Sequence, residues 1–331
     1  MGPCNDLEGG SEHVAGEARS VPEGVKWTGR TRGGVIGNWV FVTLIRYLGP
    51  ASAYLLLIPV SFYFLFLAPR AMAASQAYLR RIGYGGRSRR ARLWASWRHF
   101  YSFGQALVDR IAVVVGDPAR YSFESDGADH IREALRENKG LLVVGAHCGN
   151  LEVAGEHLAG FGAKVNVVAC EGEAARIRRL FREVQQPGRF SVIGVDGSAE
   201  ASIAILAALS RGEIVAMRGD RSLGDRHLIS VRFLGGSAQF PAGPYYVAAA
   251  SGAPVVQVFA MHTKRYHYLL KGYPPEHYSF VRRDDRETCL RDWATRFAQR
   301  IEEQLTVYPL QWYNFYDFWE EAVLPESRKS G

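Results

Sequence analysis

The sequence predicts an α/β fold, with a mainly parallel central sheet flanked by helices and an N-terminal membrane-anchoring helical segment. Three observations lead there. After about residue 120, short apolar runs alternate with stretches of helical period. Polar, chemistry-bearing residues stand directly behind two of those runs, where open α/β sheets place their ligands. Ahead of all this lies one long run with almost no charge.

Residues 1–25 contain Gly, Glu and Ser without an apolar period and lack the compact basic start of a signal peptide, so a disordered tail is expected. The segment 26–70 reads as a membrane anchor. Between Gly33 and Ala68 the only charge is Arg46, and Tyr47 to Ala68 has none. A helix over that last stretch would reach roughly 33 Å, the thickness of a bilayer's hydrocarbon. Pro50 should start the helix and Pro59 kink it, leaving a kinked span or a segment dipping into one leaflet. Trp39, Tyr47, Tyr54 and Tyr63 suit an interface. A buried core helix is the competing reading.

Arg70, Arg80, Arg81, Arg87, Arg89, Arg90, Arg92 and Arg98 follow the run, with Lys26, Arg30 and Arg32 before it. The larger block lies after it, which places the following domain, 71–325, on the cytoplasmic side. The same arginines could rest on anionic lipid or form a solvated helix face. The net charge of +7, carried more by Arg than Lys, fits phosphate-bearing partners without choosing among them. Cys4, Cys148, Cys170 and Cys289 show no paired spacing, which suggests neither a disulfide framework nor a zinc ribbon.

Within 71–325, Gly140–His147 reads as a buried strand and Asn150–Phe161 as a helix. Further strands are expected at 164–169, 190–195, 214–217, 230–234, 255–260 and 266–270, with helices at 173–185, 198–211 and 286–305. In the last helix Leu290, Trp293, Phe297, Ile301 and Leu305 should face the core.

The sharpest local feature is His147-Cys-Gly-Asn-Leu-Glu152. A strand delivers His147 to its carboxyl end, Gly149 permits a tight turn, and Asn150 is placed to cap the next helix. Glu152, one turn into that helix, could fold back on the imidazole as the orienting partner of a general base. No nucleophile elbow G-x-S-x-G is present, so the proton would come from an acceptor hydroxyl. Met217-Arg218-Gly-Asp220-Arg221 ends a second apolar run, where either arginine could hold phosphate or polarise a carbonyl. Asp220 could act there or simply pair with an Arg in a turn. Phe233-Leu-Gly235-Gly followed by Phe240-Pro241-Ala-Gly243 reads as a small-residue loop before an apolar helix.

Other chemistries fit poorly. His147, Cys148, His157 and Cys170 match no zinc spacing, no G-x4-G-K-[ST] loop exists, and the Arg cluster lies beside the apolar run rather than on a nucleic-acid motif.

In this order the segments resemble the lysophospholipid acyltransferase superfamily, in particular its branch of late acyltransferases of lipid A biosynthesis. H-C-G-N-L-E resembles that family's H-x4-D/E motif, M-R-G-D-R its arginine block, F-L-G-G-S-A-Q-F-P-A-G its glycine–proline block, and A-P-V-V its fourth. Gln311 to Trp319 is similar to the branch's aromatic C-terminal signature. The resemblance implies that 71–325 is an acyltransferase domain at the bacterial inner membrane, with an acyl carrier protein or coenzyme A thioester as donor and a lipid A-precursor-like acceptor hydroxyl. It implies no metal and no cofactor. It puts His147 and Glu152 at the catalytic positions, and Arg218, Asp220, Arg221, Gly235, Pro241 and Gly243 in substrate binding. The stretch Trp27 to Trp39 departs from that branch's usual opening, which leaves room for another envelope-lipid or pigment-lipid acceptor. A membrane-tethered lipid-binding protein with an unused dyad is the non-enzymatic alternative.

Overall fold

The computed structural model describes residues 34–170, 190–195, 199–221, 227–280 and 285–319, together with 174 and 282. The expected tail, nearly all of the expected helix at 173–185, and residues 320–325 lie outside the described residues.

Four helices come first: α1 (Gly34–Leu48), α2 (Pro50–Leu67), α3 (Pro69–Arg81) and α4 (Arg89–Val115). The chain breaks between α1 and α2 at Gly49, whose φ of +78° suits glycine, and Pro50 occupies the first turn of α2 as expected. Pro59 stays inside α2. The Ser88 hydroxyl caps α4 by accepting from the Ala91 amide at 3.1 Å.

Helix α2 is apolar all round, and its two faces meet different surroundings. Ala53, Tyr54, Leu57, Ser61 and Leu65 are buried at helical spacing, while Leu55, Ile58, Phe62, Tyr63, Phe66 and Leu67 are exposed. Its buried face lies on α4, where Gly104 admits Leu57. A Cβ at 104 would meet the leucine's methyl at 2.3 Å. Asp109 of α4 is fully buried and accepts from the phenols of Tyr54, Tyr121 and Tyr268. This clasp ties α2 to the rest of the domain. Burial raises the Asp109 carboxyl pKa, and the three phenol hydrogen bonds oppose the rise.

The seven-stranded sheet runs in the order β1-β9-β8-β2-β5-β3-β4. Its strands are β1 (Ser122–Asp126), β2 (Leu141–Gly145), β3 (Val165–Cys170), β4 (Phe190–Val195), β5 (Ile214–Arg218), β8 (Val255–Lys264) and β9 (His267–Gly272). Every neighbouring pair is parallel except β8 with β9. Helices α5 (Ala128–Arg136), α6 (Leu151–Ala159), α7 (Ala199–Ser210), α8 (Gly243–Ser251) and α9 (Arg286–Val307) intervene. This is the α/β architecture anticipated from the alternating runs. Strand β1 and helices α3, α4 and α5 were not individually anticipated; β1, Ser-Phe-Glu-Ser-Asp, holds a single apolar residue.

One expected loop is a strand. Gly236–Pro241 forms β7, paired antiparallel with β6 (Leu228–Phe233) in a separate two-stranded sheet. Leu234 and Gly235, both with positive φ, make the tight turn between them.

Period-two alternation in β2 divides the core. Leu142 and Val144 join the cluster with α9 and the aromatic C-terminal segment, while Leu141 and Val143 join the one with α2, α4 and α6. Leu290, Trp293, Phe297, Ile301 and Leu305 of α9 are all buried as expected, and so are Trp312 and Trp319.

Candidate active site

Strands β2 and β5 pair in register, Gly145 opposite Arg218, so the residues just beyond each strand meet at one edge of the sheet. There His147 and Asp220 face one another. The imidazole Nδ1–H donates to Asp220 Oδ1 at 2.7 Å, and the His147 amide donates to Oδ2 at 3.0 Å. The Asn314 amide donates to the same Oδ2 at 3.1 Å. Asp220 is wholly buried, and His147 keeps about a sixth of its side-chain surface open. With Nδ1 committed to the carboxylate, Nε2 is the ring nitrogen without a hydrogen-bond partner among the described residues.

Electrostatics favour a neutral imidazole. Burial depresses the His147 pKa, with Arg221 and Arg218 acting in the same direction and the Asp220 charge opposing them. The Asp220 carboxyl is held far below the usual range against its own burial, chiefly by His147 and then by Arg221. A neutral imidazole oriented by a carboxylate is a proton acceptor at Nε2.

Glu152 has a different station from the one expected. It does lie in the first turn of α6, but its Oε1 accepts from Arg110 Nη1 of α4 at 2.9 Å and from Arg218 Nη2. The described side-chain hydrogen bond of His147 runs to Asp220, and none runs to Glu152. The reason is geometric: α6 carries Glu152 towards the two guanidinium groups, while the turn after β5 brings Asp220 beneath the ring. Burial and the neighbouring Arg110 and Arg221 press the Arg218 pKa downward, yet it stays charged at neutral pH.

The loop between β2 and α6 is built for close approach. Gly149 has φ +69°, and a Cβ there would lie 2.0 Å from the Ala260 carbonyl oxygen. Asn150 starts α6 but does not cap it with its side chain. Its Nδ2 donates instead to the Ala106 carbonyl of α4 at 2.8 Å.

The aromatic segment after α9 completes this loop. The Gly149 amide donates to the Gln311 carbonyl at 2.7 Å, and the Tyr313 amide donates to the His147 carbonyl at 2.8 Å. Arg221 Nη2 donates to the Tyr313 carbonyl at 2.6 Å, and its Nε donates to Asn314 Oδ1, so Arg221 holds this segment. His99 of α4 reaches the Trp312 carbonyl through Nε2 at 2.8 Å.

Of the expected site residues, the structure gathers His147, Glu152, Arg218, Asp220 and Arg221 in one constellation. Gly235 sits in the β6–β7 turn, Pro241 ends β7 and Gly243 opens α8, and no described hydrogen bond or ring contact links these three to His147. Arg110, Tyr313 and Asn314 join the constellation unannounced. The aromatic run 311–319 was a visible signal for the last two, whereas nothing near Arg110 in sequence marked it. His157 packs against Phe123 and Phe161, and the Cys148 thiol faces Met261, so neither shares a ligand sphere with His147. Among the described residues no three His, Cys, Asp or Glu side chains gather as a metal site.

The family model described as bacterial lipid A biosynthesis acyltransferase matches residues 40–320. Phosphatidylinositol mannoside acyltransferase of Mycolicibacterium smegmatis is 25% identical over 201 residues, 60% of this chain and 63% of the relative. The protein of that name from Mycobacterium tuberculosis is 25% identical over 205 residues, 62% of each chain. The chain thus spans somewhat less than two thirds of the length of these relatives.

Proposed function

The chain belongs to the bacterial lipid A biosynthesis acyltransferase family, and from that premise we propose that it transfers a fatty acyl group from a carrier thioester to a hydroxyl of a membrane lipid. The observation that carries the reading is the His147–Asp220 pair, with Nδ1 engaged and Nε2 left for substrate at the carboxyl edge of the sheet.

In this reaction Nε2 accepts the proton of the acceptor hydroxyl while its oxygen attacks the thioester carbonyl carbon. The new C–O bond forms, the C–S bond breaks, and the proton passes from His147 to the departing thiolate. Asp220 keeps the ring in the required tautomer and stabilises the transient imidazolium. Glu152 does not orient the imidazole; it holds Arg110 and Arg218 as a cation pair that meets a phosphate or the developing oxyanion. The donor is acyl carrier protein or acyl-coenzyme A. The acceptor is lipid A-precursor-like or another envelope lipid, and the named relatives' phosphatidylinositol mannoside belongs to the same range. No cofactor or metal enters the scheme.

Docking on a membrane is supported by the exposed apolar row of α2, extended by Trp39, Tyr47 and Leu48 of α1 and by Trp94 of α4, and the arginine block that follows α2 favours the cytoplasmic side of the inner membrane. One described helix, α2, is long and apolar enough to cross a bilayer, but its clasp to Asp109 favours lying in the interface against the domain.

The test supplies purified protein in detergent with acyl carrier proteins bearing different chains, with acyl-coenzyme A in parallel, and with envelope lipid extract. Mass spectrometry should find a lipid one acyl group heavier with wild type and not with His147→Ala. Equal acylation by the variant would remove His147 from the mechanism, and no acylation with either donor class would remove the activity.

A further inference from the structure

Between α2, α4 and the β8–β9 turn lies a half-open cleft of about 500 Å³, lined in part by Tyr54, Leu55, Tyr101, Gln105, His262 and Arg265. It is absent from the mechanism above, yet it adjoins the catalytic loop. Gln105 and His262 also line a water-sized gap whose other walls include Gly149, Asn150 and Tyr313.

The cleft holds one guanidinium, Arg265, and no carboxylate among its lining residues, with Gln105 and His262 able to donate beside it. Arg265 is exposed, lies on the Tyr266 ring at 5.0 Å, and has no acidic partner among the described residues. His262 Nε2 is buried without a hydrogen-bond partner, although the main chain of His262 is fixed on both sides by the Gln311 amide at 2.9 and 2.7 Å. The Gln105 amide has no described partner. Burial pushes the His262 pKa down, against the nearby Asp109 charge, which disfavours a second cation here, and with its proton on Nε2 the ring donates into the cleft. Asp109 itself is sealed behind three phenols. An unpartnered buried donor costs free energy unless something accepts from it. One guanidinium with two neutral donors suits a singly charged oxyanion.

The remaining wall indicates where that anion comes from. Tyr54 and Leu55 belong to α2, and Leu55 opens onto the same exposed apolar row that meets the bilayer. A ligand with a phosphate in the cleft would therefore have its apolar part beside α2. Stacking of Tyr54 on Tyr266 at 5.9 Å and the Asp109 clasp make α2 a fixed wall, so the cleft exists only while α2 lies against the domain.

We propose that this cleft binds the phosphodiester of an anionic bilayer phospholipid, with Arg265, His262 and Gln105 as donors and α2 as its lipid-facing wall. The inference rests on the membrane reading above and adds a headgroup site beside the catalytic loop.

The test is native mass spectrometry of the full chain in neutral detergent with short-chain phosphatidylglycerol. Wild type should retain one lipid per chain, and phosphatidylcholine should be held more weakly. Arg265→Gln should weaken retention about tenfold or more, the scale of a lost charge-assisted hydrogen bond. Arg89→Gln, which removes an equal charge at the start of α4, should change it less than about twofold. Equal loss in both variants, unchanged retention in Arg265→Gln, or no retained lipid in wild type would each overturn the proposal. Displacement of the lipid by equimolar inorganic phosphate would identify free phosphate as the ligand and overturn the bilayer assignment. Flotation of wild type with phosphatidylcholine vesicles separates the two readings. A chain that floats but lacks Arg265-dependent lipid disproves the cleft alone, whereas one that does not float disproves the membrane docking beneath it.

Discussion

Replacing Asp220 by Asn asks which carboxylate serves His147. The buried carboxylate accepts three hydrogen bonds, from the His147 ring, the His147 amide and the Asn314 amide. Ala at this position would strand three buried donors at about 1–3 kcal/mol each, enough to consume most of a domain's stability. Asn keeps the shape and one acceptor oxygen. Its amide group must then donate, either at the His147 amide, which cannot accept, or at Nδ1, which forces the proton onto Nε2. The imidazole then points a donor at the acceptor hydroxyl, and general-base assistance of about 10²–10⁴ in rate is lost. Thermal unfolding should show the variant folded, and kcat should fall by about that factor with donor binding little changed. Glu152→Gln should behave differently. It weakens the hold on Arg110 and Arg218, so KM should rise more than kcat falls. If Asp220→Asn retains near wild-type kcat while Glu152→Gln loses it, the assignment of the orienting partner is wrong.

The pH dependence follows from the same pair. His147 is depressed by burial, so the neutral base persists below its ordinary range, and the acid limb of kcat/KM should lie below about pH 6. For stability, both His147 and Asp220 have lowered folded pKa values, so their contribution is present above the unfolded values and lost as pH falls. Chemical denaturation should show falling stability from about pH 6.5 downward, and a stability that rises on acidification would contradict the burial of this pair. Gly149→Ala meets both a positive φ and the Ala260 carbonyl, and should cost about 3 kcal/mol or more in a melt, with loss of activity. Tyr54→Phe removes one of the three donors to Asp109 and should cost about 1–3 kcal/mol, read by urea unfolding. A loss below 0.5 kcal/mol would mean that the clasp does not hold α2.

How far the sequence revealed this site depends on whether a contact is local. The strand Leu141–Gly145, His147 at its end and the helix carrying Glu152 are all read from one stretch of period and punctuation. The direction of the Glu152 side chain is not, because it is decided by Arg110, forty-two residues earlier, and by Arg218, sixty-six later. Asp220 stood in plain view after a second apolar run, but only the parallel pairing of β2 with β5 shows that the two run ends are neighbours. The glycine–proline block misled for a related reason. Gly235 and Gly236 mark a turn whether it belongs to a hairpin or a ligand loop, and Gly236–Pro241 alternates too weakly to declare a strand. The apolar run at α2 was legible as apolar but not as two-faced, since both faces carry the same residue types.

The hydrogen bonds from residues 311–314 to the loop after β2 also set an order of events during synthesis. Helices α1 and α2 leave the ribosome long before Gln311, Tyr313 and Asn314 are made. The apolar surface can therefore reach the bilayer while His147 and Gly149 still lack their main-chain partners and Asp220 lacks an amide. On the membrane reading proposed above, a nascent chain would be seated on lipid before its reacting groups are set. Ribosome-bound chains arrested before residue 311 should be membrane-associated and catalytically silent.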